Sequence, residues 1–420
     1  MICRFRATEM KNSFKSLIIA RTAIKKSNTM ISFEEASKII YNAAATLGEE
    51  GVPLRDSPGR VLAADVIADT DMPPFDKSAM DGFACRREDL GGELEVVEII
   101  KAGDLPKKSI GRGECSKIMT GGRVPEGADC VIMVEQVEEV SSNRIVFTGS
   151  KTAGNIAKKG EDIRSGQAAL KKGVLIKPQH VAVMASAGCA NPRVYKRPKV
   201  AVLNTGDEIV EASVKPEGTC IRNSNGPQLI AQIENTGAIP NYMGIVEDTP
   251  QATDKALSRA LSQNDIVLVT GGVSAGDYDH VPAILKEIGV TTEFEKVAVK
   301  PGRPTVFGSK EGRFVFGLPG NPVSSFTIFE LMVKPFIFRC MGYDYNPVPL
   351  IRPLSASYKR KKSDRIAWIP VSCNERGEVL PVDYHGSAHI HSLCFADGLM
   401  PVPAGVKELN KGDFVDVRQI

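Results

Sequence analysis

The sequence predicts an α/β domain with a mostly parallel sheet, joined to all-β modules in one elongated multidomain chain. Three observations lead there. Between Arg197 and Phe336, short Val/Ile/Leu-rich runs alternate with helical repeats, the pattern of a parallel sheet covered by helices on both faces. Residues 93–150 alternate β-rich runs with Gly and Pro turns and hold no helical period, as an inserted all-β module would. Beyond Gly342 the chain returns to short strands and turns as far as Ile420, which predicts a small C-terminal barrel or sandwich.

Taken in order, residues 1–29 are basic and nearly free of acids, and are expected to form a disordered extension. They lack the continuous apolar core of a signal peptide, and Met30 directly precedes a helix start. Ser32 with Glu35 makes a capping box, after which Phe33, Ala36, Ile40, Ala43 and Leu47 keep helical spacing. Val52 to Thr70 reads as short extended pieces broken by Pro53, Pro58 and Gly59, and a boundary falls near Pro73. KKGEDIRSGQ is a polar turn. After Arg197, KVAVLNTG reads as a buried strand, GPQLIAQIENTG as a helix stopped by Gly237, and AIPNYMGIVED as a strand. QATDKALSRALSQ then reads as a helix, DIVLVTGG as a buried strand, HVPAILKEIG as a helix stopped by Gly289, and Val323–Phe336 as the closing helix. The resulting plan is an extension (1–29), an elongated connecting domain (30–72 with 165–196), an inserted β-module (73–164), an α/β ligand-binding domain (197–343) and a C-terminal β domain (344–420).

Composition bounds the function classes. A length of 420 residues implies several cores, and 42% apolar with 25% charged side chains is ordinary for a water-soluble globular protein. A net charge of +3 from 53 basic and 50 acidic residues offers no overall basis for nucleic-acid or membrane-surface binding. No apolar run approaches the roughly 18 to 20 residues needed to cross a bilayer. Nine cysteines without a Cys-x-x-Cys suggest reduced, mostly buried thiols, and so a cytoplasmic location.

The sharpest local signal is LVTGGVSAGDYDH, where a buried strand runs into a glycine-rich turn and then a helix. Ligands of open α/β sheets bind at that carboxyl edge. Gly271, Gly272 and Gly276 allow backbone N–H groups to approach an anion, with Ser274 in the same turn. Asp277 and Asp279 would repel a bare phosphate, so their functional reading is a Mg2+ ion held between carboxylate and phosphate oxygens; the bland reading is a tight turn with surface acids. VAVKPGRPTVFG sets Lys296, Lys300 and Arg303 around a Pro-Gly turn. GLPGNPVSS follows, with Asn321 as a cap, Pro322 in the first helical turn, and Ser324 and Ser325 adding donors. As a set these read as a pocket for a small tetrahedral oxyanion, although any one lysine taken singly is more often a solvated charge. Asp81, Asp162, Asp207, Glu208 and Asp248 also stand in turn sequences, where most acids merely cap or face solvent. Splitting a phosphoanhydride, however, needs metal ligands of this kind. His385, His389 and His391 match no standard zinc spacing. No Walker-type, dinucleotide or Gly-x-Ser-x-Gly signature occurs.

From about Met30 onward the chain resembles the molybdopterin molybdenumtransferases, the family that includes the C-terminal insertase region of gephyrin. The segments that carry the resemblance, in family order, are PPFDKSAMDGFA, IMTGGRVPEGADCVI, KKGEDI, NTGDEI, VTGGVSAGDYDHV, KPGRP and GLPGNPVSS. The resemblance implies a four-domain elongated homodimer that takes adenylylated molybdopterin and molybdate and releases AMP, with Mg2+ as cofactor. By motif position it implies that Asp162, Glu208, Asp248 and Asp279 surround nucleotide and magnesium, with Glu208, Asp248 and Asp279 as metal ligands and Asp81 and Thr120 reaching in from the β-module. It further implies that Lys296 and Lys300 hold phosphate or molybdate, and that Arg303, Ser324, Arg365 and Ser387 line the molybdate pocket. Asn223 in IRNSN stands where many relatives carry Asp and cannot be a carboxylate ligand here. HGSAHIH differs in spacing from some relatives, which bears on Ser387. The molybdopterin adenylyltransferase and apo-molybdoenzymes are the implied protein partners. Rival readings on the same fold are a protein-binding scaffold, against which the acids argue, and the adenylyltransferase itself, a shorter single α/β domain resembling residues 197 to 340 alone.

Overall fold

A computed structural model describes residues 30–273 and 280–420. The expectations for residues 1–29 and for Ser274, Gly276, Asp277 and Asp279 therefore lie outside the described residues. The chain forms two compact units: one gathers the stretch ending at Ala45 with Arg197–Cys340 and Asp344–Ile420, the other Thr46–Lys196 with Met341–Tyr343. No described helix is long and apolar enough to cross a membrane.

The first unit is built on a six-stranded sheet. In chain order its strands are β1 (Lys199–Thr205), β2 (Ile239–Val246), β3 (Ile266–Thr270), β4 (Thr291–Phe294), β5 (Val306–Lys310) and β6 (Arg313–Leu318), and in space they run β2-β1-β3-β6-β5-β4. The pairs β1/β2, β1/β3 and β3/β6 are parallel, and the β5/β6 hairpin with β4 closes one edge antiparallel. Val200–Leu203 and Ile266–Val269 are all buried, which explains their unbroken apolar spelling: both faces of a central parallel strand are covered. The helices are α1 (Asn225–Asn235), α2 (Pro250–Gln263) and α3 (Val281–Glu287). On one face Leu257, Leu261, Ile284 and Leu285 pack against Val267, Val269 and Val315. On the other, Phe316 meets Phe307 at 4.8 Å and Phe336 at 5.2 Å. Each such fully buried side chain contributes about 1.5–3 kcal/mol of transfer free energy.

Local signals explain the helix ends. Thr249 caps α2 by accepting from the Ala252 N–H, and Pro250 fills the first position, where a missing N–H costs nothing. Gly237 (φ +83°) follows α1 as the left-handed stop. Two helix expectations need correction. The capping contact of Ser32 on the Glu35 N–H is present, but the helix stops at Ala43 and Ala44 is already extended, because the chain enters the second unit, where Glu49–Gly51 pairs with Arg193–Tyr195. The closing helix is longer than Val323–Phe336. It runs from Pro322 to Cys340, with a π turn at Phe329–Val333 that carries buried Glu330, whose carboxylate accepts from Gln232 (2.9 Å) and Lys334 (2.7 Å). A π turn absorbs one extra residue, commonly where a polar group must be seated.

The C-terminal residues form a mixed sheet ordered Val299–Lys300, Ile366–Cys373, Gly398–Val402, Phe414–Gln419, Leu350–Pro353 around Leu354, Ile369, Val371, Met400 and Val417. Its first strand is borrowed from the KPGRP region.

In the second unit the sheet order is Cys130–Met133, Gly82–Cys85, Glu114–Ile118, Glu93–Ile100, Arg144–Phe147, Val137–Ser141. Cys85, Cys115 and Cys130 lie side by side on its buried face with Phe83 and Leu94, and the Cys85 and Cys130 sulfurs are 3.7 Å apart. Burial pushes the Cys115 thiol up to about 12. A separate core of Leu62, Val66, Ile176, Met184 and Val194 supports the rest of this unit.

Carboxylates staple the turns of this unit. The Asp76 carboxyl is held below the usual range by the Lys159 N–H and then by Lys158, Asp65 by the Lys171 side chain and then the Lys172 N–H, and Asp71 by the Ser165 N–H. A carboxyl whose folded value is depressed stabilises the fold above its unfolded value, and that contribution is lost as pH falls through the folded value. The midpoint of thermal unfolding of the chain should therefore be flat above about pH 5 and fall below about pH 4. The Asp76→Asn variant should show a shallower fall. Parallel profiles for the two proteins would refute the staple.

Candidate functional site

The strand order places β1 between β2, reached through α1, and β3, reached through α2, so the connections diverge to opposite sides between β1 and β3. At such a switch point the carboxyl ends of the strands open a crevice, and ligands of open α/β sheets bind there. Four loops meet at this edge: Gly206–Glu208 after β1, Glu247–Asp248 after β2, Gly271–Gly272 after β3 and Pro319–Asn321 after β6. The spacing is tight. A Cβ on Gly271 would lie 2.4 Å from the Thr205 carbonyl oxygen and 2.7 Å from its Oγ1, and Gly271 holds φ +89°. Only glycine brings the β3 turn this close to β1. Thr205 is 4% exposed and its hydroxyl finds no hydrogen-bond partner among the described residues. A buried hydroxyl left unpaired costs about 1–3 kcal/mol.

Beneath the edge runs a buried polar network that the sequence reading missed. The Asn204 amide donates to Thr270 Oγ1 (2.6 Å), and Asn223 donates to Asn204 Oδ1 (3.1 Å) and to the Tyr242 hydroxyl (2.9 Å) while accepting from the Gly226 N–H (2.9 Å). Tyr242 in turn donates to Glu211 (2.7 Å), and burial, then that carboxylate, push its hydroxyl up to about 12. Asn223 thus spends both amide hydrogens and its oxygen on protein, which gives a physical reason for an amide at this position. The available signal was the polar pair Asn204-Thr205 ending an otherwise apolar strand. An Asn223→Asp substitution should cost roughly 2 kcal/mol in urea unfolding, since a carboxylate would face Asn204 Oδ1 without a hydrogen to donate. Unchanged stability would show the network to be dispensable.

The acids of this edge sit on adjacent loops. Glu208 is exposed, and Asp248 is half-buried, with its N–H donating to the Asp207 carboxylate (3.0 Å), which joins the β1 and β2 loops. The described residues assemble no group of three acids, cysteines or histidines suited to a metal. Two adjacent loops nevertheless supply hard oxygen ligands in the small number with which Mg2+ is usually held when phosphate provides others.

The basic residues lie between the α/β sheet and the C-terminal β domain. Val299 and Lys300 pair in parallel with Ile366 and Ala367, so Lys300 belongs to the C-terminal sheet although its sequence neighbours serve the α/β domain. The exposed Arg303 carbonyl accepts from Val297 and Thr305 across the same turn, and the half-buried Lys296 lies just before it. Arg365 donates to the Val299 carbonyl (3.4 Å) and to Asp364 (3.2 Å). Ser387 accepts from the Asn321 side chain (3.0 Å), and its carbonyl accepts from the Val323 N–H (3.1 Å). Asn321 occupies the cap position, but its side chain makes no cap bond, a correction to the expected role; it reaches Ser387 instead. Ser324 is buried at the start of that helix, and the Ser325 hydroxyl beside it has no partner among the described residues. Asn225, also missed, donates to the Gly320 carbonyl (2.7 Å) and ties α1 to the same loop.

In the second unit Asp81 and Thr120 are brought together: the carboxylate accepts from the Thr120 N–H (2.6 Å) and hydroxyl (2.7 Å), and the hydroxyl, then the N–H, hold it below the ordinary range. Asp162 lies exposed in the KKGEDI turn, where its N–H donates to the Met72 carbonyl (3.1 Å).

The fold and this edge define a class: residues 201–339 match the family model described as a probable molybdopterin binding domain. Residues 31–188 match the MoeA N-terminal region (domains I and II), and residues 353–420 the MoeA C-terminal region (domain IV). The molybdopterin molybdenumtransferase of Staphylococcus epidermidis is 35% identical over 399 residues, covering 93% of this chain and 95% of that relative. Its Staphylococcus aureus counterpart is 34% identical over 397 residues, covering 92% and 95%. The crystal structure of a molybdopterin biosynthesis moeA protein from Pyrococcus horikoshii OT3 superposes with a TM-score of 0.82 at 30% identity, covering 93% of this chain and all of that one. The chain belongs to the MoeA family of molybdopterin molybdenumtransferases.

Proposed function

We propose that the chain transfers molybdenum from molybdate to adenylylated molybdopterin and releases AMP, as a cytoplasmic, magnesium-dependent homodimer. The observation that supports this reading is that the sheet-edge loops and the basic turn both bond to the C-terminal β domain within the first unit. The glycine turn and acids of the sheet edge are linked, through Asn321–Ser387 and the pairing of Val299–Lys300 with Ile366–Ala367, to a basic group of Lys300, Arg303 and Arg365. Nucleotide phosphate and molybdate are both anions, and transfer between them needs both neutralised and held close.

Gly271 and Gly272 offer backbone N–H groups to phosphate at the β1/β3 junction. Lys300, Arg303 and Arg365 offset the charge of molybdate, with Ser324 and Ser387 as neutral donors and Lys296 serving phosphate. Glu208 and Asp248 would hold magnesium, together with Asp279; when bound, that ion polarises the phosphoanhydride and offsets its developing charge. Asp81, Thr120 and Asp162 are assigned to the same chemistry from the β-module of the partner protomer. The adenylyltransferase would supply the substrate, and apo-molybdoenzymes would receive the product.

The test is an insertion assay with the purified chain, adenylylated molybdopterin, molybdate and Mg2+, reading AMP release and reconstitution of an apo-molybdoenzyme. AMP release that requires both molybdate and Mg2+ is the expected result. Failure to form cofactor under these conditions would overturn the assignment.

A further inference from the structure

We propose that the β-module of the second unit carries its own binding site for a planar-ring phosphate ester, a ligand of the nucleoside monophosphate class. An open cavity of about 670 Å³ lies there, among the segments Pro74–Asp76, Leu105–Ser109 and Arg123–Glu126 and the side chain of Lys159. That volume is within the usual range for small-molecule sites.

The charge around it is unbalanced. Asp76 is committed to Lys158 (2.9 Å) and to the Lys159 N–H (2.8 Å), and Lys159 is paired with Asp71 (3.4 Å). The side chains of Lys107, Lys108 and Arg123 pair with no carboxylate among the described residues, and Glu126 is the remaining acid on the wall. Three uncommitted cations against one acid favour an anion, and phosphate presents the several acceptor oxygens that such a cluster can share.

The floor is apolar. Pro74, Phe75, Leu105 and Pro106 line it, Leu105 is 69% exposed, and the Arg123 guanidinium stands 5.7 Å from the Phe75 ring centroid. A guanidinium over an aromatic ring offers a flat ligand a stacking surface that also carries charge. A bare oxyanion would leave this floor uncovered, which is the reason for a ring as well as a phosphate.

The walls are also preset. Both carboxylate oxygens of Glu98 accept from the Lys107 N–H and one accepts from the Lys108 N–H (3.0–3.2 Å), fixing the lysine loop. The Val124 N–H donates to the Asp76 carbonyl (2.9 Å), and the Ile110 N–H to the Glu126 carbonyl (2.8 Å). Little ordering therefore remains to be done on binding.

AMP is the natural probe, a choice that rests on the proposed transferase reading, whereas the cavity stands on its own residues. Titration of the full chain with AMP by calorimetry should resolve two classes of site. Arg123→Ala, and separately Lys107→Gln with Lys108→Gln, should weaken one class by about tenfold or more and leave the other intact. Gly271→Ala should weaken only the other. Raising the salt concentration should weaken the Arg123-dependent class, and a poly-glutamate peptide should not compete for it. AMP isotherms of both cavity variants that superpose on the parent would overturn the proposal, as would a peptide that displaces AMP or binds in its place. If Gly271→Ala leaves AMP binding untouched while Arg123→Ala removes a class, the cavity stands and the sheet-edge transferase site falls.

Discussion

AMP release by the Glu208→Ala variant is expected to drop on the order of 100-fold or more, with the midpoint of thermal unfolding unchanged. Glu208 is exposed in the turn after β1 and its side chain makes no hydrogen bond among the described residues, so its removal should change stability by no more than about 0.5 kcal/mol. Its position is nonetheless constrained. Gly206, two residues earlier, holds φ +145°, a backbone conformation that side chains disfavour, and so fixes the turn that carries Glu208. Loss of a charge meant to bind a metal should appear in turnover and in its Mg2+ dependence, not in folding. The assay pairs AMP release across a Mg2+ titration with a melting curve, and normal turnover with normal Mg2+ dependence would remove Glu208 from the site.

The Gly271→Ala variant should lose at two levels at once. The added Cβ meets the Thr205 carbonyl and hydroxyl at distances no packed carbon tolerates, in a left-handed conformation that disfavours a side chain. The β3 turn must then move away from β1. Roughly 1–3 kcal/mol of stability should be lost, together with at least about a tenfold loss of AMP affinity at the sheet edge. Urea unfolding with an AMP titration checks both. A variant with parent-like stability and binding would mean that the close approach of Gly271 to Thr205 has no consequence for the crevice.

The legibility of the fold follows from which forces are local. KVAVLNT and DIVLVT spell parallel strands because a strand covered on both faces must be apolar throughout, and helices α1 and α3 carry their stops in Gly237 and Gly289. Helix ends that depend on distant partners were less legible. Nothing in ATLGEE announces that Glu49–Gly51 pairs with Arg193–Tyr195, and nothing local in FELMV announces the π turn that seats Glu330 opposite Gln232. Val299–Lys300 reads as part of an α/β loop, but its hydrogen bonds go to the C-terminal sheet.

The site divides along the same line. Its glycines, acids and lysines were readable as residue types, because an anion site at a strand-to-helix turn requires backbone N–H groups, small residues and fixed charge at short spacing. The buried network of Asn204, Asn223, Tyr242 and Thr270 was not, since its members are separated by as many as 66 positions and each alone is an unremarkable polar residue. Sequence by itself determined the α/β and all-β classes, the family and the glycine-rich edge, all of which rest on short-range pattern and on motif order. Tertiary structure alone decided that Asn321 turns from its own helix to Ser387, that Lys300 joins the C-terminal sheet and that Lys107, Lys108 and Arg123 line one open cavity with Phe75. Those outcomes depend on which distant backbones come within hydrogen-bonding reach, and that is settled only when the cores pack.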